Sequence, residues 1–279
     1  MGYSARTNIT RFFVYIALII LFILVIFPIW LLLVNGTRST SEIQQGISLL
    51  PSTHMIDNYN ILTARGLDLP RGFANSLFLA VVSTFITVYV SFLAAYGFVA
   101  YNFRGRQLFR GFVVVLVLIP MQLAIIGYFQ YMSRFGLTDT FASLIFPAVA
   151  AAGAVFFAIQ YFEAIYIKDL VEAGRIDGAS ELGIFHRVMM PIAVPGAVTL
   201  GIFSFIASWN NFFTPFIMIS SIEKYTLPML VQLLRGDVYR TEYGAIYLGL
   251  GITVIPVIII YLIFSRYIIS GIAMGSVKE

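Results

Sequence analysis

The amino-acid sequence predicts an all-α polytopic membrane protein with six transmembrane helices, and three observations support that prediction. The chain of 279 residues is 60% hydrophobic and only 11% charged, whereas soluble domains carry about 25% charged residues. Its mean hydropathy is +0.93. Six segments lack Asp, Glu, Lys and Arg for long enough to cross a bilayer, whose core of ~30 Å requires roughly 20 helical residues.

Each of the six segments is expected to be helical, because hydrocarbon offers the backbone no hydrogen-bond partners. The first segment is too long and too apolar for the core of a secretory signal, so we expect it to be retained. We expect one membrane domain over 1–279, since no linker or internal repeat divides the chain. In chain order the expected spans are about 12–34, 73–101, 111–133, 141–162, 192–220 and 243–265.

The connections between the spans predict the orientation of the chain. An even number of spans places both termini on one side of the membrane. The short loop with Arg104, Arg106 and Arg110 favours the cytoplasm for that side, since basic residues concentrate in short cytoplasmic loops. The basic residues form no continuous patch, which argues against a nucleic-acid partner. The chain has no cysteine, which excludes disulfides and thiolate metal sites, and no metal site is expected.

The segment 163–191, between the fourth and fifth spans, is the only densely charged stretch between long apolar runs. We expect Asp177 to cap the N-terminus of a short helix there, with Glu181 near its positive end. Gly178 permits a sharp turn. The sequence therefore predicts a short cytoplasmic helix in this segment.

The spacing of the residues that follow predicts one apolar face. Leu182, Phe185 and Met189 recur at three- and four-residue intervals, with Phe185 as a projecting knob. Pro191 and Pro195 are expected to prevent a continuous helix into the fifth span. On this pattern alone, an ordinary interfacial helix that joins two spans is equally compatible.

The detailed spacing resembles the EAA loop of the membrane subunits of ATP-binding-cassette importers. Gly174 stands where the family has a second Ala, and Met190 precedes the proline. The matching positions are Glu172, Ala173, Asp177, Gly178, Ala179, Phe185 and Pro191.

Further fragments resemble the sugar-importer branch of that family, the maltose-transporter-type permeases, over nearly the full length. Each fragment is short and weak by itself, but the fragments occur together and in the same order along the chain, which makes the resemblance specific. The fragments are Asn75-Ser76-Leu77, Ala95-Tyr96-Gly97-Phe98, Ile119-Pro120-Met121-Gln122, Trp209-Asn210-Asn211 and the tail from Gly271 to Lys278.

The resemblance implies the type I importer permease fold and a prokaryotic cytoplasmic membrane protein with both termini in the cytoplasm. It implies no enzymatic chemistry, and the chain has no phosphate-binding Gly-x-x-x-x-Gly-Lys-[Ser/Thr] loop, so ATP and Mg would bind partner ATPases. The implied partners are a second permease, two ATPase subunits, an external solute-binding protein, a sugar and membrane lipid. The residues implied to couple to the ATPase are Glu172, Ala173, Gly174, Asp177, Gly178, Ala179, Leu182, Phe185 and Pro191.

Neutral polar residues beside Pro120 and Pro215 are candidates for the ligand pathway, because the spans hold no ionised side chain. They also fit hydrogen bonding between helices. Gln232 and Arg235 in the last external loop are candidates for contact with the binding protein, although the sequence favours an ordinary surface role for Arg235. The pathway candidates are Gln122, Trp209, Asn210, Asn211, Thr214 and Tyr247.

Three other functions remain open from the sequence. The chain could serve an importer of another small uncharged solute. An ion-coupled secondary transporter usually needs intramembrane carboxylates or repeated broken helices, and the spans contain no carboxylate. A membrane-embedded enzyme would need reactive residues at membrane depth, and the spans contain no Asp, Glu, His or Cys.

Overall fold

The structure, a computed structural model, describes residues 2–64, 68–233 and 241–276. All regular secondary structure in these ranges is helical. A π-helical turn covers Phe185–Met189, and a 3-10 turn covers Ile222–Lys224. In chain order the α-helices are α1 (Gly2–Asn35), α2 (Thr40–Gln44), α3 (Met55–Ala64), α4 (Leu69–Ala100), α5 (Arg106–Leu118), α6 (Met121–Arg134), α7 (Phe141–Val149), α8 (Ala152–Ile165), α9 (Lys168–Ile176), α10 (Glu181–Ile184), α11 (Met190–Trp209), α12 (Phe213–Met218), α13 (Leu227–Leu233) and α14 (Tyr243–Ser276).

These helices supply six apolar crossings in the described part of the chain, if a bent pair counts as one. The bent pair is third in order: its halves, 106–118 and 122–134, meet at 103°. Pro120 lies in the break, where it lacks an N–H to continue the helix. The all-α polytopic fold is confirmed. The five other crossings are Arg11–Asn35, Leu69–Ala100, Phe141–Ile165, Glu181–Trp209 and Tyr243–Phe264.

The fifth crossing differs from its prediction in extent. It runs over Glu181–Trp209 rather than 192–220, and it passes Pro191 and Pro195 without ending. The π turn directly before Pro191 provides the reason, since the Met190 N–H bonds the Phe185 carbonyl five residues back. A π turn adds one residue to the hydrogen-bonded ring and so relieves the clash that proline makes in a regular α-helix. The predicted interruption was wrong.

The described residues form two compact units, 1–69 with 230–255 and 70–229 with 256–279. The prediction of one domain over 1–279 stays a prediction. In the first unit, buried Arg38 donates hydrogen bonds to Asn35 Oδ1 and the Gly46 carbonyl, both at 3.0 Å. The buried Asn58 amide donates to the carbonyls of Gly36 and Arg38, each at 2.9 Å. These hydrogen bonds hold the segment that connects α1 to α3 in one conformation.

In the second unit, the core joins α4, α8 and α11. Phe92, Phe162 and Phe185 are fully buried in it. α8 and α11 approach closely at Gly196, where a Cβ atom would lie 2.6 Å from the ring of Tyr161. Aromatic rings therefore fill the space between these crossings, and glycine at position 196 leaves room for the Tyr161 ring.

Polar contacts at the ends of the second unit sort its loops into two groups. Arg110 and Glu163 form an ion pair between the loops predicted to face the cytoplasm. Asp139 pairs with Lys224 Nζ at 3.0 Å and accepts from the Ser221 amide at 2.9 Å, between loops predicted to be external. The hydrogen bonds from Ser221 and Lys224 hold the pKa of the Asp139 carboxyl well below its ordinary value. These contacts join only loops that the alternation of spans assigns to the same side.

Candidate functional site

The charged segment between the fourth and fifth crossings contains α9, which ends in a Schellman motif. The Gly178 N–H donates to the Arg175 carbonyl at 3.1 Å, and the Ala179 N–H donates to the Gly174 carbonyl at 3.0 Å. Gly178 has φ +77°, a left-handed conformation that glycine adopts without a Cβ penalty. Gly178 therefore forms the sharp turn expected of it, at the end of a helix.

The predicted capping role of Asp177 was wrong. Asp177 is the C-terminal cap of α9, and its backbone N–H donates to the Ala173 carbonyl at 2.9 Å. Ser180 caps the N-terminus of α10 instead, and its Oγ accepts from the Gly183 N–H at 3.2 Å. In a Schellman motif, the residue directly before the left-handed glycine is the C-terminal cap of the helix. Asp177 directly precedes Gly178, so the sequence itself favoured a C-terminal cap at Asp177 over an N-terminal one.

The predicted knob at Phe185 was also wrong. Phe185 and Met189 are both 0% exposed in the core of the second unit. The Phe185 ring lies 5.6 Å from that of Tyr96 and 6.2 Å from that of Tyr89. Because α10 continues through the π turn into α11, this face packs against the crossings. Of the three predicted face residues only Leu182, which is 58% exposed, points away from the protein.

The inner face of α9 is held by small and branched residues. Val171 is fully buried, as is Ile184 of α10. A Cβ atom at Gly174 would lie 3.2 Å from Cγ1 of Ile184. Glycine at this position, which departs from the family pattern, therefore gives Ile184 room against α9.

The outer face of α9 and the turn after it is exposed, and we call it the docking face. Ile176 is 86% exposed although it lies outside the predicted spans, and Leu182 lies beyond the turn. Glu172 pairs with Lys168 at 3.1 Å on the surface of the helix. The exposed members of the docking face are Glu172, Ala173, Ile176, Asp177, Gly178, Ala179 and Leu182. Sequence reasoning missed Ile176, although its place at the last helical turn before Gly178 was a signal.

One ion pair ties the two ends of the turn together. Arg175 Nε donates to Glu181 Oε1 at 2.7 Å across the turn that Gly178 makes. This hydrogen bond raises the pKa of the Arg175 guanidinium above its ordinary value. Pro191 lies eleven residues after Ser180, within the first turn of α11, and so shapes the exit from the segment rather than its surface.

The pathway candidates near the fifth crossing differ in their burial and in their hydrogen bonds. Trp209 is only 1% exposed; its ring stacks on Phe205 with 5.9 Å between centroids and meets Phe73 edge-on at 5.4 Å. A side chain held in this way fills the core of the second unit, and its role in the ligand pathway stays a prediction. Asn211 Oδ1 accepts from the Thr214 N–H at 3.2 Å and so caps α12.

The remaining polar candidates are accessible. Asn210 is exposed directly after α11 ends, and Thr214 is half-buried in α12. Gln122 is exposed in the first turn of α6, which packs against α12. The elements that carry Gln122 and Thr214 are therefore brought together.

In the first unit, Tyr247 lines a cavity of about 440 Å³ together with Asn35 and Pro28. Gln232 is exposed on α13, whereas Arg235 lies outside the described residues. Among the residues that the structure describes, no group of three His, Asp or Glu side chains could hold a metal ion.

Comparison with known proteins identifies similar chains over nearly the full length. Residues 87–273 match the family described as "Binding-protein-dependent transport system inner membrane component". The arabinooligosaccharides transport system permease protein AraQ of Bacillus subtilis is 33% identical over 276 residues, 98% of this chain and 96% of that protein. The trehalose/maltose transport system permease protein MalG of Thermococcus litoralis is 30% identical, with 96% and 97% covered.

A solved structure shares the fold. A chain from the crystal structure of a bacterial ABC transporter involved in import of the acidic polysaccharide alginate superposes with a TM-score of 0.82. It is 22% identical in sequence, and the match covers 96% of this chain and 99% of that one.

Proposed function

The chain belongs to the family of binding-protein-dependent transport system inner membrane components, and on this premise we propose that it is the permease subunit of an ATP-driven importer of a neutral sugar or oligosaccharide. Relatives of the chain include permease proteins of arabinooligosaccharide and trehalose/maltose transport systems. The chain is thus a transport subunit and not an enzyme. The alternative is another small uncharged solute, which would use the same machinery.

In the proposed complex, this subunit pairs with a second permease, and two ATPase subunits bind ATP and Mg on the cytoplasmic side. An external solute-binding protein delivers the ligand. Both termini and the docking face lie in the cytoplasm, as the basic loop at Arg104, Arg106 and Arg110 favours. Gln232 and Arg235 belong to the opposite side, where they are candidates for contact with the binding protein.

The docking face is the observation that supports ATPase coupling most directly. It presents Ile176 and Leu182 to solvent beside the acidic Glu172, on a helix held to the crossings by buried Val171. Exposed large apolar residues on a rigid, ordered surface are typical of protein interfaces. We assign contact with the ATPase to the exposed members of this face, whereas Gly174, Phe185 and Pro191 shape it from within.

The docking assignment predicts the outcome of one substitution. Ile176→Asp places a charge at the centre of the proposed interface, and burial of an unpaired charge is costly. We expect the ATPase to be lost from the variant during affinity purification in detergent. The thermal unfolding midpoint of the permease itself should stay unchanged, since Ile176 makes few contacts within the chain.

Ile47→Asp is the matched control. Ile47 is 80% exposed but lies in the connection between α1 and α3, on the side assigned to the exterior. This variant should retain the ATPase fully. Full retention of the ATPase by Ile176→Asp would contradict the docking assignment.

The proposed ligand pathway uses neutral polar groups at helix ends. In the second unit, Gln122, Asn210, Asn211 and Thr214 offer amide and hydroxyl groups without charge, which suits a ligand that needs hydrogen bonds rather than ion pairs. Tyr247 of the first unit is a separate candidate. The break at Pro120 supports this proposal, because interrupted membrane helices expose backbone groups where they line a cavity.

A further inference from the structure

We infer that Glu181 is a positioning residue that fixes the docking segment to α4, so that movement of α9 is passed to that crossing in a defined direction. The inference rests on the proposed function, because it assigns to one carboxylate the link between the ATPase contact and the membrane. It concerns Glu181, Arg175 and Tyr96, of which neither Arg175 nor Tyr96 belongs to the docking face.

One carboxylate joins three helices. Glu181, the first residue of α10, accepts from Arg175 Nε of α9 through Oε1 at 2.7 Å. Its other oxygen, Oε2, accepts from the hydroxyl of Tyr96 of α4 at 2.9 Å. Arg175 Nη2 approaches Oε2 at 3.4 Å. The two carboxylate oxygens therefore face α9 and α4, while the backbone of Glu181 belongs to α10.

Each partner of Glu181 is itself held in place. Tyr96 is 3% exposed, and its ring contacts those of Phe162 and Phe185 in the core of the second unit. The Arg175 guanidinium lies 5.5 Å from the centre of the Tyr101 ring, within the range of a cation–π contact.

The hydrogen bonds of Glu181 to Arg175 and Tyr96 matter for the position that they define rather than for the stability that they add. Val171 and Ile184 attach α9 and α10 to the core through apolar contact, which is not directional and permits sliding. A charge-assisted hydrogen bond has a preferred distance and angle. The Arg175 and Glu181 side chains are 35% and 39% exposed, so the pair contributes little to stability. Its main effect is to define where α9 lies relative to α4.

Tyr96 lies near the end of α4, four residues before the helix ends at Ala100. A displacement of the docking face would reach α4 through this hydroxyl and not only through the covalent chain. Removal of the hydroxyl, or of the charge on Glu181, should leave the ATPase bound but allow α9 to move without α4. Hydrolysis would then proceed with less transport.

The test uses the whole complex of permeases, ATPases and binding protein in lipid nanodiscs. Because the chain has no native cysteine, spin labels at Asp169→Cys on α9 and Val81→Cys on α4 report a single intramolecular distance. Both positions are exposed. The distance is measured by pulsed electron paramagnetic resonance without nucleotide and with Mg-ATP plus vanadate.

With the native Glu181 and Tyr96, we expect one narrow distance distribution that is the same in both states. In Tyr96→Phe and in Glu181→Gln, the distribution should broaden and shift when Mg-ATP and vanadate are added. In liposomes, the ratio of maltose or arabinooligosaccharide transported to ATP hydrolysed should fall by about fivefold or more, a coupling loss typical of linked sites. Tyr96→Phe removes one oxygen atom only and leaves the packed ring in place.

Lys168→Gln is the matched control, since it breaks the Lys168–Glu172 pair at 3.1 Å on the same helix without touching α4. It should keep the narrow distribution and the native ratio. An unchanged distribution and ratio in both Tyr96→Phe and Glu181→Gln would overturn the inference. Loss of the ATPase from these variants would also overturn it, whereas failure of the unaltered chain to bind any ATPase would refute the proposed function itself.

Discussion

At the scale of single residues, glycine decides how closely two crossings pack. Gly196 of α11 lies where a Cβ atom would come within 2.6 Å of three atoms of the Tyr161 ring. Tyr161 is 7% exposed and cannot swing aside without disturbing its neighbours in the core. By contrast, a Cβ atom at Gly201, five residues later, would meet only methyl groups at 3.7 and 3.8 Å. The two glycines of one helix therefore have different structural roles.

Gly196→Ala should destabilise the permease, because the added methyl group overlaps the Tyr161 ring and the rigid interior does not accommodate it. The expected cost is about 1–3 kcal/mol in the free energy of unfolding. The thermal unfolding midpoint in detergent measures it. Gly201→Ala is the control and should leave the midpoint unchanged or slightly raised, since alanine favours the helix. Equal midpoints for the two variants would contradict the packing described here.

At the scale of secondary-structure elements, the proposed ligand pathway lies at the breaks and ends of the helices. The third crossing divides at Pro120, the fifth ends at Trp209 and is followed by the short helix α12, and α6 packs against α12. Helix ends inside a membrane leave backbone groups that need partners. The exposed amides of Gln122 and Asn210 stand at such ends. We therefore propose that these elements offer a polar ligand its hydrogen bonds.

Asn210→Leu should reduce transport without loss of assembly, because it removes an exposed amide from the proposed pathway and leaves the core intact. Uptake of radiolabelled arabinooligosaccharide, maltose, trehalose and an alginate oligosaccharide would measure it. We expect transport of a neutral sugar, a lower rate in the variant and no uptake of the acidic alginate fragment. Leu233→Ala, at an exposed position of α13, is the control. Unchanged uptake by Asn210→Leu would remove Asn210 from the pathway.

At the scale of the whole molecule, the alternation of crossings accounts for the loop contacts of the second unit. The Arg110–Glu163 pair and the Asp139–Lys224 pair each join loops separated by an even number of crossings. Such loops lie on the same side of a membrane. The positive-inside rule then predicts which side is cytoplasmic.

Cysteine labelling tests this orientation directly, since the chain contains no native cysteine. Ile47→Cys and Gln107→Cys place single thiols at exposed positions of the two predicted sides. A membrane-impermeant maleimide should label Ile47→Cys in intact spheroplasts and label Gln107→Cys only after the membrane is opened. The reverse pattern would place the docking face outside and contradict ATPase coupling.

The sequence by itself determined the class of the protein, the number of crossings and the position of the segment that carries the docking face. These properties depend on sums of hydropathy and charge over local windows, and such sums do not require knowledge of the fold. The left-handed turn at Gly178 was likewise predictable, because it depends on the backbone of one residue.

Only the tertiary structure decided which side of that segment faces inward. Three- and four-residue spacing predicted a common face for Leu182, Phe185 and Met189, but periodicity alone does not say whether a face meets solvent or a core. Phe185 is buried because α10 continues through a π turn into α11 and packs against Tyr96. Burial is a property of the partners that the fold supplies, and here those partners lie about 90 residues earlier in the chain, on α4.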